Sequence, residues 1–168
     1  MAKRKKIKKT LPLALSAAAI ILGIVAIIML FLPAVAIKDT DKTYTGLQIV
    51  FGHSEKLGGS IQIEIFKFSF MNLLTYILVL AGVIFSILGA LGKLSKIASF
   101  VAAAAFIVAG VFFFLVPSLT IVNESASSVV AFFGGNIKEN LVLAVGSIVG
   151  AITAIVAGAA QLLKVFIK

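Results

Sequence analysis

The residues best suited to metal binding or acid–base catalysis are few, and they lie in one polar stretch of the chain. His53 is the only histidine and stands two residues before Glu55. The two side chains could contribute ligands to a metal, but a zinc site takes three or four protein ligands, mostly nitrogen and sulfur. The chain has no cysteine. We therefore expect His53 to be a turn residue and predict no metal and no other cofactor.

Two carboxylates in the same stretch, Asp39 and Asp41, lie near each other. Paired carboxylates can bind calcium or carry out acid–base chemistry. Here Lys38 and Lys42 flank the pair and neutralise its charge, which favours a solvated loop. We expect no catalytic site at this position.

Hydroxyl and amide side chains also occur inside long apolar runs. Hydrolysis within a membrane needs paired acids, a metal or a serine activated by a general base. Ion-coupled transport usually needs ionisable groups inside the membrane. The runs contain no Asp, Glu, Lys, Arg or His, so the sequence predicts a protein that is not an enzyme. The notable polar residues of the later runs are Ser86, Ser99, Ser147, Thr153 and Gln161.

The elements that position these residues are four uncharged runs, each long enough for a membrane-spanning helix of about 20 residues. A soluble domain is about 45–50% apolar and about 25% charged, whereas this chain is 61% hydrophobic and 12% charged. We predict an all-α membrane bundle of four transmembrane helices, forming a single domain over residues 1–168. The predicted spans are 11–37, 68–92, 97–117 and 141–163. The first run is longer than the apolar part of a cleaved signal peptide, about 7–15 residues, so we predict a retained span.

The excess positive charge lies on one side of this arrangement. The predicted outer loops, 38–67 and 118–140, carry five basic and six acidic residues, whereas the other side carries ten basic residues and no acidic one. Because basic segments stay in the cytoplasm, both termini are predicted to be cytoplasmic in a multi-pass protein of the plasma membrane. We expect the basic residues to set topology and to touch anionic lipid, not nucleic acid. Those that set topology are Lys3, Arg4, Lys5, Lys6, Lys8, Lys9, Lys93 and Lys96, with Lys164 and Lys168 on the same side.

The first outer loop has the pattern of β-structure. Within residues 44–51, Leu47, Ile49 and Phe51 alternate with other residues, and residues 61–65 alternate strictly between isoleucine and a polar side chain. Such alternation indicates strands with one buried face.

We predict a turn over residues 52–60 between these strands, and a bulge or a passage to helix after Ile65. A lone hairpin is marginal in water, so we expect a third strand near residues 119–121 of the second outer loop. The two outer loops would then form a small extracellular antiparallel β-sheet on top of the helices.

Small residues recur at intervals of four in two of the predicted spans. Residues four apart lie on one helix face, and small side chains let helices approach closely in lipid. The faces could pack against a helix of the same chain or against a neighbouring copy. The predicted packing residues are Gly146, Gly150, Ala154 and Gly158 in the fourth span and Gly82, Ser86 and Gly89 in the second.

Four spans with both termini inside and a strand-rich first outer loop resemble the claudin-type tetraspan architecture. Gly46-Leu47 resembles the Gly-Leu of the claudin first-loop motif, although Gln48 stands where claudins have tryptophan and the loop cysteines are missing. The stretch 44–52 is also similar to that of small four-span proteins of low-GC bacteria, a similarity that implies no activity. The residues of this outer-loop motif are Tyr44, Gly46, Leu47 and Gly52.

These features together predict a structural or assembly function. The protein would associate laterally in the bilayer, as a homo-oligomer or with another membrane protein, through its small-residue helix faces and a free sheet edge. The claudin resemblance implies assembly of the same kind. Other functions are compatible with the sequence: an oligomeric pore or channel with polar residues along one helix face, an accessory subunit of a membrane transporter or cell-envelope complex, or binding of a lipid or small apolar ligand between the helices.

Overall fold

The computed structural model describes residues 2–57, 61–91, 95–124, 126 and 136–167. Within these ranges, four helices are long and apolar enough to cross a membrane, and short antiparallel strands lie at one end of the bundle. The helices are α1 (Ala2–Ile28), a 3₁₀ helix (Met29–Phe31), α2 (Gly46–Phe51), α3 (Phe70–Leu91), α4 (Ser95–Phe114), α5 (Val116–Leu119) and α6 (Val145–Phe166). The strands are β1 (Pro33–Ile37), β2 (Thr43–Thr45), β3 (His53–Leu57), β4 (Ile61–Phe66) and β5 (Leu141–Leu143).

The four long helices form a ring in which each packs mainly on two neighbours. α4 lies between α3 and α6, and α1 closes the ring by packing on α3 and α6. Phe106 of α4 lies at the centre and is fully buried. A Cβ atom at Gly82 would lie 2.8 Å from its ring, and one at Gly23 would lie 2.9 Å away. The absence of side chains at these two positions therefore makes room for the phenylalanine.

The predicted first span is too long at its C-terminal end. The helix ends at Ile28, a 3₁₀ turn continues to Phe31, and Pro33 opens strand β1. Proline lacks a backbone N–H, and it pushes the residue before it towards extended geometry. Leu32 has that geometry, with φ −100° and ψ 163°. The apolar residues that follow are therefore buried as a strand, not as part of the span.

The start of the fourth span was also predicted too early. Residues 141–143 form β5, and the helix starts at Val145 after an extended Ala144 (φ −103°, ψ 173°). β5 pairs with β1 in antiparallel register, with Ala36 opposite Val142. An apolar run alone does not separate a buried strand from the helix that continues it. The predicted third span ends three residues too late, since α4 stops at Phe114 and the separate short helix α5 follows it.

The predicted strand over residues 44–51 is wrong from Gly46 onward, because that part is the helix α2. Thr45 and Gln48 form a capping box, with the Gln48 side chain accepting from the Thr45 backbone and the Thr45 hydroxyl accepting from the Gln48 backbone. This pair satisfies N–H groups that the first helical turn leaves free. The buried residues of α2 are Gly46, Ile49 and Val50, a helical spacing.

The predicted strand at residues 61–65 is confirmed as β4, which extends to Phe66. The predicted turn was too long, because residues 53–57 form the strand β3 that pairs with β4. The register shifts between His53, opposite Phe66, and Ser54, opposite Glu64. The shift makes Ile65 the extra residue of a bulge, just before the position predicted for one, and Ile65 and Phe66 are both buried.

The strands form two small sheets, a three-stranded one in the order β2-β1-β5 and the hairpin β3-β4. The strand predicted near residues 119–121 is displaced along the chain, because Leu119 ends helix α5. Residues 121–123 pair with the end of β4 through a single β-bridge between Val122 and Phe66 and two flanking backbone hydrogen bonds. The third strand of the main sheet is β5 instead. We call the described residues of 32–69 and 115–144 the head.

Candidate functional site

Three polar side chains meet in the head between the two sheets. Tyr44 lies in β2, Lys42 precedes that strand, and Glu55 lies in β3. The Tyr44 hydroxyl donates a hydrogen bond of 2.8 Å to Glu55 Oε1, and Lys42 Nζ lies 2.6 Å from Glu55 Oε2. The Tyr44 ring packs edge-on against Phe66, with ring centres 4.7 Å apart. The two sheets are thus linked by one ion pair and one buried phenol.

The surroundings of this cluster shift its proton affinities. Partial burial alone would raise the pKa of Glu55, but the hydrogen bonds from Lys42 and Tyr44 and the positive charge of Lys42 outweigh it and lower the pKa. Burial, together with the hydrogen bond to Glu55 and its negative charge, raises the pKa of Tyr44. At neutral pH Glu55 is therefore a carboxylate and Tyr44 a phenol that donates to it.

A cleft of about 240 Å³ opens beside the three side chains. The surface of its walls is mostly apolar, and Lys42 and Glu55 are among the polar residues that line it. A concave apolar surface with a few polar groups is the usual form of a binding site. The other lining residues are Ile37, Thr40, Tyr44, Ile63, Ile65, Ala126, Asn136, Ile137 and Asn140.

Lys138 fixes one wall of this cleft. Its ammonium group donates to the backbone carbonyls of Pro117 at 3.1 Å and Ser118 at 2.8 Å, and also to that of Thr120. These carbonyls lie at the C-terminal end of α5, where a cation also interacts favourably with the helix dipole. Desolvation lowers the pKa of Lys138. Residues 136–140 are thereby tied to the end of α5.

The predicted outer-loop motif lies where the head meets the bundle. A methyl group at Gly46 would overlap the Tyr76 hydroxyl and would lie 2.8 Å from the Leu30 carbonyl oxygen. Gly52 ends α2 with φ +93°, a backbone conformation that favours glycine. Leu47 is half-buried. Of the four motif residues, only Tyr44 belongs to the cleft.

The predicted small-residue face of α6 packs inside the chain. Gly146 lies against Pro33, Gly150 against Phe113 and Gly158 against Ala103 and Ile107. Ala154 is fully buried. The structure therefore uses this face to hold α6 against α4 and β1, not to meet a neighbouring copy.

The weaker face of α3 is buried in the chain as well. Gly82 packs against Phe106, Ser86 donates to the Gly82 carbonyl oxygen at 2.7 Å, and the Gly89 carbonyl accepts from Lys164. The hydroxyls predicted in the fourth span also bind backbone: Ser147 donates to Ala34 O at 2.8 Å, and Thr153 donates to Val149 O at 2.8 Å. These hydroxyls serve helix packing and strand attachment.

The structure describes the backbone position of most, but not all, of the basic residues that are predicted to set topology. Residues 3–9 belong to the first turns of α1, and Lys96 is exposed near the start of α4. Lys93 lies outside the described residues. The assignment of this end to the cytoplasm stays a prediction.

Sequence reasoning missed Lys164, which it placed beyond the fourth span. Lys164 lies in the last turn of α6 and is only 7% exposed. Its ammonium group donates to Ser16 Oγ at 2.7 Å and to Gly89 O at 2.8 Å. The prediction that the spans carry no ionisable residue is therefore wrong at this position. A usable signal was its spacing, since Lys164 follows Ala157 and Gln161 along the buried face.

Among the described residues, no group of three or more His, Cys, Asp and Glu side chains is placed to hold a metal ion. His53 begins β3, and its ring lies 3.3 Å from Gln48 Nε2. Asp39 and Asp41 are both exposed, and Asp39 has a φ of +60° in the turn after β1.

Comparison with protein-family models, curated proteins and solved structures finds no match for this chain. The resemblance to claudin-type tetraspan proteins therefore stays a prediction, and function is inferred from the geometry of the described residues.

Proposed function

We propose that the chain is a non-enzymatic, multi-pass membrane protein with an assembly function, in which the four helices form the anchor and the head makes the contact. The contact partner is a second copy of the chain or another membrane protein. The observation that carries this proposal is that the small-residue faces of α3 and α6 pack inside the chain. The space beside Gly150 and Gly158 is already occupied by Phe113 and Ile107 of the same chain. We therefore assign the recognition surface to the head.

The head cleft is the part of that surface with the clearest chemistry. Aliphatic side chains such as Ile63 line it, and the Lys42–Glu55 pair stands at one side. An apolar side chain of a partner could enter the cleft while a polar group meets the ion pair at its rim, which is the usual division of an interface into core and rim. This role differs from the predicted one, in which the helices would share the contact.

A non-enzymatic role is supported by what the candidate nucleophiles bind. The hydroxyls of Ser86 and Ser147 donate to backbone carbonyls, not to a general base. The Ser16 hydroxyl accepts a hydrogen bond from the Lys164 ammonium group, which as a donor is not a base for it. An oligomeric pore receives less support for the same reason, because a pore wall needs its polar groups directed to the lumen. An accessory-subunit role remains compatible with head contacts and is distinguished by the identity of the partner.

Orientation is proposed from charge: the head lies outside and both termini lie in the cytoplasm of the cell. The absence of cysteine allows clean labelling. Cysteine introduced at Ser54 in β3 should react with an impermeant maleimide in intact cells. Cysteine introduced at Ser95, at the start of α4, should react only after lysis. The reverse pattern would overturn the proposed orientation.

The contact itself can be tested by site-specific photo-crosslinking in cells. A photoreactive amino acid at Thr40, exposed on the cleft rim, is compared with the same group at Ile152, exposed on the outer face of α6. We expect protein adducts from Thr40, with a band at twice the chain mass for self-assembly or another mass for a partner, and lipid adducts from Ile152. Protein adducts from Ile152 alone would place the contact on the helices and contradict the proposal.

A further inference from the structure

Among the side chains that the structure describes, one charged group lies buried inside the bundle. The four candidate spans contain two lysines, of which Lys96 is exposed at the start of its helix and Lys164 is buried in the last turn of α6. Charged residues within a membrane span are costly and are generally kept for a function. The burial of the Lys164 charge is therefore unfavourable unless another group compensates it.

The neighbours of Lys164 supply hydrogen bonds but no negative charge. Its two acceptors are the Ser16 hydroxyl and the Gly89 carbonyl oxygen, both uncharged. An ammonium group has three N–H donors, so one donor has no acceptor among the described residues. A buried cation is stable only when it is paired and hydrogen-bonded.

The sequence offers no aspartate or glutamate to pair with this lysine. All six acidic residues lie between α1 and α3 or between α4 and α6, at the head end of the bundle; they are Asp39, Asp41, Glu55, Glu64, Glu124 and Glu139. Lys164 lies at the opposite end, beside Ser16 of α1 and Gly89 of α3. No acidic side chain of this chain reaches it, so a countercharge must be a group other than an aspartate or glutamate of the chain.

Two further polar side chains at this level have no hydrogen-bond partner among the described residues. Gln161 is fully buried with both amide atoms unpaired, and Ser99 is fully buried with a free hydroxyl. Gln161 precedes Lys164 by three residues and so lies on the same face of α6. Ser99 belongs to α4, which runs antiparallel to α6 with Ala103 against Gly158. Ser99 lies about one helical turn from Ala103, and Gln161 lies about one turn from Gly158, both towards the end of the bundle that carries Lys164. The two side chains therefore lie at neighbouring levels.

We propose that this group binds an anionic phosphate. The site consists of Ser16, Gly89, Ser99, Gln161 and Lys164, here called the Lys164 cluster. Lys164 would offer one ammonium N–H. The buried side chains of Gln161 and Ser99 would turn towards the ligand and offer two amide N–H groups and a hydroxyl, all donors suited to phosphate oxygens. The phosphate belongs either to a lipid headgroup of the adjoining leaflet or to a free anion.

The position of the cluster fits such a ligand. Lys164 stands two residues before the end of α6, which is the depth at which phospholipid headgroups begin. The same end carries the basic run of residues 3–9, which attracts anions to its surroundings. Binding would supply the missing charge at Lys164 and acceptors for the unpaired amide.

The test compares four proteins purified in mild detergent: wild type, Lys164→Met, Gln161→Leu and the control Lys96→Met. The control removes the same charge from an exposed position at the same end. Native mass spectrometry measures binding of phosphatidylglycerol against phosphatidylcholine. Thermal unfolding measures the effect of inorganic phosphate at constant ionic strength.

We expect wild type and Lys96→Met to bind one phosphatidylglycerol selectively, and Lys164→Met to bind it about tenfold more weakly, the loss of a charged hydrogen bond. Phosphatidylglycerol selectivity without an effect of phosphate identifies the lipid as source. Stabilisation of wild type but not Lys164→Met by phosphate, without lipid selectivity, identifies a free anion. Equal lipid binding and an equal phosphate effect in wild type and Lys164→Met would overturn the proposal.

Gln161→Leu decides the matter if Lys164→Met does not fold. If the Gln161 amide binds the anion, this variant should bind the anion more weakly than wild type does. If the Gln161 amide is buried without binding any ligand, the variant should bind the anion as wild type does and should be more stable, because leucine removes the cost of burying an unpaired polar group. That second result would also overturn the proposal.

Discussion

The ammonium group of Lys164 lies 2.7 Å from the hydroxyl oxygen of Ser16, so the last turn of α6 is hydrogen-bonded to α1 across 148 residues of sequence. The same ammonium reaches Gly89 O at 2.8 Å. Three of the four long helices are thus joined at one point, at the end of the bundle opposite the head.

Removing the Ser16 hydroxyl should weaken this joint. In Ser16→Ala, Lys164 keeps one described acceptor, and loss of a hydrogen bond to a charged group costs about 1.5–3 kcal/mol. We expect a decrease of about 4–8 °C in the unfolding midpoint in detergent. Ser118→Ala, which removes an exposed hydroxyl in the head, is the control and should change it little. Equal midpoints for the two variants would mean that the bond contributes nothing.

Filling the glycine face of α6 should disrupt folding, not association. A Cβ at Gly158 would lie 2.7 Å from the Ile107 side chain and 3.1 Å from the Ala103 carbonyl oxygen. Gly158→Leu should therefore lower stability by at least about 1–3 kcal/mol, measured by thermal unfolding. The matched control is Ala159→Leu at the neighbouring exposed position. A stable Gly158→Leu protein with reduced particle mass would instead show that the face meets another copy.

The close contact at Gly46 gives a paired prediction. Gly46→Ala should destabilise the protein by about 1–3 kcal/mol, because the methyl group meets the Tyr76 hydroxyl and the Leu30 backbone. Tyr76→Phe removes a buried hydroxyl that has no partner in the described part of the chain, so it should be tolerated and should recover part of the loss in the double variant. A double variant no more stable than Gly46→Ala would leave Leu30 as the whole cause.

Glu55 predicts a pH dependence of head stability. Its pKa is lower in the folded protein than in the unfolded chain, so its contribution is present at neutral pH and is lost as the pH falls through the folded-state pKa. Glu55→Gln should lower the unfolding midpoint by about 2–4 °C at neutral pH, and the difference from wild type should vanish in acid. Glu139→Gln, at an exposed position, is the control. A difference that persists in acid would exclude the carboxylate charge as its cause.

The sequence predicted the elements whose patterns are long or strict. Four uncharged runs gave four helices, and the isoleucine alternation at residues 61–65 gave β4. The prediction failed for residues 46–51, because six residues are too few to separate a period of two from a helical turn. There the side chain of Gln48, pairing with Thr45, decides for helix.

The sites could not be predicted because they depend on distant pairings. Lys164 stands at the end of an apolar run and has the pattern of an interfacial lysine, yet its burial depends on Ser16 and Gly89, which come from two other helices. The cleft similarly requires Glu55 of one sheet to meet Lys42 beside the other. Spacing along α6 indicates that Lys164 lies on the buried face, but it does not identify the residues of other helices that Lys164 contacts.

If the head makes the assembly contact while the bundle is self-contained, the mass of the particle in lipid nanodiscs should depend on the head. Thr40→Arg places a large cation on the cleft rim, whereas Ser54→Arg makes a comparable change at an exposed head position outside the cleft. We predict that wild type and Ser54→Arg purify above the monomer mass, as a homo-oligomer or with a stoichiometric partner, and that Thr40→Arg purifies as a monomer. A wild type that is monomeric without a partner, or a Thr40→Arg protein that keeps the wild-type mass, would contradict the claim.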